Sequence, residues 1–182
     1  LHKLGFKNTY TRTSDDDVAE LFGAQFSDAG SEQIHTALRF VSRSVLSSQV
    51  TGEHYIPILN DLKVEWHASF AEAKRDEPDY RRIIYARELG TNEPFSALLG
   101  FQANLKNGGR FFSDMYEKTR NTKIDFSMPL ASLKFKVGGL YEEKDRDFNS
   151  RLIGVIVNAP GNGFTDFDLL YLPLDKIFMP EN

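Results

Sequence analysis

The sequence predicts an α+β fold, a central antiparallel sheet of about five to six strands with helices packed on one side. Three observations predict it. Apolar residues recur at helical spacing early in the chain, as in Ile34, Leu38, Val41 and Val45. A strict two-residue alternation then takes over in "LKVEWHASFA", residues 62–71. Two more extended runs follow, "KIDFSMPLASLKFKV" at 123–137 and "RLIGVIVNA" at 151–159. Helices grouped before antiparallel strands give this class.

The elements follow in order. Residues 1–13 have no period and read as an arm. Ser14 is a good N-cap, and Asp15, Asp16 and Asp17 suit the positive end of a helix. Val18, Leu21, Phe22 and Phe26 continue one face, so a short helix is predicted over 14–27. Residues 1–30 thus form an N-terminal arm and helix ahead of a domain at 31–182. Ser31 can cap a second helix reaching about Gln49, and a homodimer through this helix, 31–49, is expected. Residues 62–71 and 81–89 read as a hairpin around the polar, proline-containing "EAKRDEPDY". The stretch 90–123 mixes strand and helix signals. "GGLYEEKDRDFNS" reads as a charged connector before the buried strand at 151–159.

Composition narrows the function. With 182 residues the chain fits one domain, and its 26% charged content is ordinary for a globular protein. It has no cysteine, which excludes disulfides, thiolate metal sites and a cysteine nucleophile. That absence fits a reducing compartment, and a cytoplasmic location is expected. The net charge of −4 comes without a basic stripe, so no nucleic-acid partner is expected. No apolar run approaches the roughly 20 residues of a membrane helix, and no membrane insertion is expected. Leu1 in place of Met reads as a piece cut from a longer protein. His2, His35, His54 and His67 are scattered, with no pair at the local spacing of a metal site, so no metal is expected and no cofactor is indicated.

Several stretches together resemble the GAF family of small-molecule-sensing domains. "VEWHASFAEAKRDEPDYRRIIYARELG" looks like its first two strands, and "SMPLASLKF" like its S-x-P-L strand. "RLIGVIVNAPGNGFTDFDLL" looks like its closing signature, with Asn158, Phe164 and Asp168 in the signature loop. The likeness covers roughly 31–178 and is specific only at Ser127–Leu130 and at the C-terminal signature. Ala159 and Leu169 stand where cyclic-nucleotide-binding members carry Lys and Glu, so the salt bridge that orders their loop cannot form here. Independently of any family, Gly154 lets its strand pass close to a neighbour, and Thr165 with Asp168 makes a capping-box pattern. Pro173 stops or kinks any helix begun at Thr165.

The resemblance implies a non-catalytic sensory or regulatory domain of a signalling protein. Its ligand pocket would lie between the sheet and the 95–127 segment. Phe111, Phe112, Tyr116 and Phe126 could enclose a ring there, while Ser113, Asp114, Thr119, Arg120 and Ser127 could fix polar groups. For each residue a scaffold role is the alternative. A second function is a protein interaction or dimerisation module with no ligand. A third is a metal-dependent nuclease-like enzyme using Asp125, the lysine of "SLKFK" and Glu142 or Glu143, although Ser132 stands where the acid before Lys134 belongs.

Overall fold

The computed structural model describes residues 1–26, 30–157 and 167–179. It replaces the α+β expectation with antiparallel sheet. Five long strands dominate: β1 (His2–Gln25), β2 (Ser31–Ile56), β3 (Leu62–Glu88), β5 (Gly108–Leu130) and β6 (Leu133–Gly154). The short β4 (Ser96–Ala97) pairs with β3, placing Ala97 opposite Tyr85 and Ser96 opposite Ala86. The sheet order is β1-β2-β3-β5-β6, so long strands adjacent in sequence are adjacent in space. The one α-helix among the described residues is α1, Leu174–Ile177.

Both predicted N-terminal helices are strands. Residues 14–25 belong to β1 and residues 31–49 to β2. The cap signal at Ser14 and the three- and four-residue apolar spacing are local preferences, and cross-strand pairing overrides them. A dimer through a helix at 31–49 therefore has no helix to use; that segment lies inside the sheet between β1 and β3. The predicted hairpin 62–71/81–89 is one continuous strand of 27 residues, and the charged connector at 138–150 lies within β6.

The chain divides into two compact units. The first comprises Leu1–Thr13, Ser42–Asp76 and Asp114–Asn149. Its connections are short. Pro57–Leu59 forms a single 3-10 turn, and Asn60 and Asp61 take left-handed φ values of 56° and 54° before β3 begins. Tyr55 Oη donates to Asp61 Oδ1 at 2.5 Å, and Asn60 Nδ2 donates to the Pro129 carbonyl at 2.7 Å. β5 and β6 are joined by Ala131 and Ser132 alone, with Ala131 at φ 55°.

The second unit comprises Ser14–Val41, Glu77–Ser113 and the described residues from Ser150 onward. It holds the buried core: Ile83, Ala97, Leu174, Ile177 and Phe178, with Leu38, Leu99 and Val155 packed against them. Tyr85 Oη donates to the Leu172 carbonyl at 2.7 Å. Burial raises the Tyr85 hydroxyl to about 12, and nearby Asp175 adds to the effect. The last 3-10 turn, Phe167–Tyr171, ends before Pro173, whose ring cannot continue it. Gly154 fills its expected role, since a Cβ there would lie 2.8 Å from the Ala103 Cβ.

Candidate functional site

The first unit carries a sheet segment with two chemically opposite faces. Alternate residues of a strand point to opposite sides, so contacts on one side assign the whole register. In β5 and β6 the pairs Asp114–Asn149, Glu117–Arg146, Arg120–Glu143 and Asn121–Glu142 all keep one register, continuous with the two-residue turn.

One face is charged. Lys63 Nζ lies 3.1 Å from Glu53 and 3.0 Å from Glu65. Asp125 Oδ2 accepts from Lys123 at 2.8 Å and lies 3.4 Å from Lys136. The hydrogen bond from Lys123 holds the Asp125 carboxyl below its ordinary range, and the charge of Lys136 acts the same way. Arg146 and Lys144 do this for Glu117. A recess of about 440 Å³ opens on this face, lined by Lys3, Glu53, Glu65, Lys123, Asp125 and Lys136 among others.

The other face is apolar. Alternation places Leu4 and Phe6 of β1, Val64, Trp66 and Phe70 of β3, Ile124 and Phe126 of β5, and Leu133, Phe135 and Val137 of β6 on it. Many of these side chains are open to the surroundings: Phe6 is 73% exposed and Phe135 54%. Trp66 lies against Gly52, where a Cβ would come within 2.3 Å of the indole. Trp66 Nε1 donates to His54 Nε2 at 3.0 Å, and the His2 and His54 Nδ1 atoms are 2.9 Å apart.

Further along the same face the chemistry turns polar. Tyr116 Oη donates to Glu72 Oε1 at 2.5 Å, Lys74 and Lys118 lie over the Tyr116 ring, and Arg120 pairs with Glu143 at 3.3 Å. The apolar positions thus form a band bounded by charge.

The nine ligand candidates read from the sequence all lie on β5, and the strand distributes them. Phe111, Phe112 and Ser113 belong to the second unit, and Asp114, Tyr116, Thr119, Arg120, Phe126 and Ser127 to the first. Phe111 lines a recess of about 430 Å³ with Arg39, Glu77 and Arg110. Arg120 lines a cleft of about 40 Å³ with Lys118, Glu143 and Asp145. Ser113 and Ser127 are buried, and Ser113 Oγ lies 3.4 Å from the buried Glu77. Asn158 and Phe164 of the signature loop lie outside the described residues; Asp168 lies in the first turn of the 3-10 helix Phe167–Tyr171. Asp125, assigned to a nuclease-like centre, is held by two lysines. Local spacing could not reveal the His2–His54 contact, because the two residues are 52 positions apart.

No protein-family model and no curated protein matches the chain. The GAF likeness therefore rests on the quoted residues alone. Among the described residues no helix is long and apolar enough to cross a membrane, a statement that does not extend to strands.

Proposed function

We propose that the first unit is a section of the wall of a transmembrane β-barrel, with its apolar face against lipid and its charged face toward a water-filled interior. The observation that carries this reading is the segregation of Trp66, Phe126, Phe135 and Val137 from Glu65, Asp125 and Lys136 across neighbouring strands. A barrel strand needs about 9–11 residues to cross the hydrocarbon, alternating apolar and polar. The alternating stretch Leu62–Phe70 has that length, and Leu133–Val137 alternates in the same sense. Short turns at one membrane surface and longer loops at the other are typical of such barrels. The turns at 57–61 and 131–132 of the first unit are of the short kind. A water-facing sheet exposing this many large apolar side chains would be an aggregation surface.

This departs from the cytoplasmic, non-inserting domain read from the sequence. That reading looked for an unbroken apolar run, and alternating strands never produce one. The sensory reading placed its pocket between the sheet and the 95–127 segment, and residues 108–127 of that segment lie in β5. β1 and β6 each have a long-strand neighbour on one side only. In lipid such edges must be paired, so the barrel reading requires further strands along both.

The test uses the absence of cysteine. Single cysteines at positions 134, 135, 136 and 137, each labelled with a fluorophore, are compared in phospholipid vesicles containing nitroxide lipid. Quenching at 135 and 137 with protection at 134 and 136 is expected. Uniform quenching, or a chain that stays folded in the aqueous phase, overturns the proposal.

A further inference from the structure

We propose that His2 and His54 form a two-histidine site for a divalent late transition-metal ion, with Zn²⁺ as its simplest probe. The strand register builds the site. Leu1 and Tyr55 exchange both backbone hydrogen bonds, Leu1 N to Tyr55 O at 3.3 Å and Tyr55 N to Leu1 O at 2.8 Å. The following antiparallel pair, His2 with His54, is then a non-hydrogen-bonded pair, where facing side chains approach most closely. The two Nδ1 atoms are 2.9 Å apart, with ring centroids 5.2 Å apart. Two imidazole nitrogens bound at roughly 2.0–2.1 Å to one ion lie about 2.9–3.4 Å from each other for bond angles between square and tetrahedral. Their separation is therefore already that of two ligands on one metal.

Imidazole nitrogen suits Zn²⁺, Ni²⁺ and Cu²⁺. Among the described residues there is no cluster of three or more histidine, cysteine, aspartate or glutamate side chains, so water completes the coordination. His2 is exposed and His54 half-buried, which leaves room for it.

Trp66 couples to the site. Its indole N–H can only donate, so His54 Nε2 must accept, and the neutral His54 carries its proton on Nδ1, donated to His2 Nδ1. A metal taking both Nδ1 lone pairs requires the His54 proton to move to Nε2. That ends the bond from Trp66 Nε1. No net proton is released from the neutral pair, and binding ends two hydrogen bonds, the one between the histidines and the one from the indole. Metal and indole thus compete for opposite tautomers of one ring. His2 and His54 share the face of Leu4 and Trp66 and lie at its end beside the 57–61 turn, so on the membrane reading the site is at the bilayer surface, where water reaches.

The experiment is Zn²⁺ titration of the full chain, followed by calorimetry and by emission of Trp66, the only tryptophan. Zn²⁺ is chosen because it does not displace backbone amide protons. One ion per chain is expected, with a saturable change in Trp66 emission. His2→Gln and His54→Gln should each weaken binding at least tenfold, while His35→Gln and His67→Gln leave it unchanged. Trp66→Phe should tighten binding several-fold by removing the competing donor, a result that a disrupted fold could not produce. Binding that survives His54→Gln, or that weakens in Trp66→Phe, overturns the proposal.

Discussion

Gly138 of β6 faces Asp125 of β5 so closely that a Cβ at Gly138 would lie 2.1 Å from Asp125 Oδ1 and 2.7 Å from the Ile124 carbonyl oxygen. One of these contacts is backbone and cannot rotate away. The carboxylate is held in turn between Lys123 and Lys136. Overpacking of this kind costs about 1–3 kcal/mol. Gly138→Ala should lower the denaturation midpoint accordingly, while Gly139→Ala, with nothing within 4 Å of its Cβ position, should be neutral or slightly stabilising. Equal effects at the two positions would contradict this packing.

Asp79 supplies an acid-sensitive link in the second unit. Arg110 grips it with two hydrogen bonds of 2.8 and 2.7 Å, and Arg81 adds a third at 2.5 Å. Burial alone would raise the carboxyl, but the hydrogen bonds and charges of Arg110 and Arg81 outweigh it and hold the group below its ordinary value. A depressed carboxyl contributes stability above its unfolded value near ~4 and loses it as the pH falls through the lower folded value. Asp79→Asn should cost about 1–2 kcal/mol at neutral pH, the lower end for charge-assisted bonds because the pair is partly solvated. It should also flatten the acid limb of stability against pH, measured by denaturant melts between pH 2 and 7.

Tyr85 acts at the alkaline end. Its hydroxyl is pushed up to about 12 by burial and then by Asp175. The neutral form is therefore favoured in the fold. This stability is complete below the ordinary tyrosine value near ~10 and is lost as the pH rises through the folded value. In a spectrophotometric titration of the seven tyrosines, Tyr85 should ionise late, in step with unfolding. Tyr85→Phe should remove that late component and lose the bond to Leu172.

The two faces of β6 should respond oppositely to charge in lipid. Val137→Arg should cost about 2–4 kcal/mol if the residue sits near the bilayer midplane. Lys136→Gln on the charged face should change stability far less, because Lys123 still neutralises Asp125. Refolding equilibria in phospholipid vesicles provide the comparison, and similar losses at both positions would count against a lipid-facing side.

How much of this was legible depended on whether a strand buries one face or two. Residues 62–70 alternate cleanly, with Trp66 against Glu65 and His67, and were readable as strand. In β2, Ile34 and Leu38 fall on one face and Val41 and Val45 on the other, and Val41 is fully buried. A strand with apolar residues on both faces loses its alternation, and the remaining intervals of three and four imitate a helix. The charged run 72–79 imitated a turn. In the sheet its charges have partners: Glu72 on Tyr116, Glu77 on Arg39 at 2.7 Å, and Asp79 on Arg110. Candidate sites fared similarly. Phe111 to Ser127 were gathered by chemical type, whereas a strand sends neighbours to opposite sides, and the His2–His54 pairing depends on a register that only long-range hydrogen bonding sets.

The two-residue connection at Ala131–Ser132 bears on the order of assembly. Closing so small a loop costs little chain entropy, and hairpins of this kind form in roughly 1–10 μs. Pairing β3 with β5 must first close the 89–107 segment, a slower search. β5 and β6 can therefore zip outward from Leu130 and Leu133 before the other strands are in place. The register they fix, with Gly138 seated against Asp125, then serves as the template on which β3 docks.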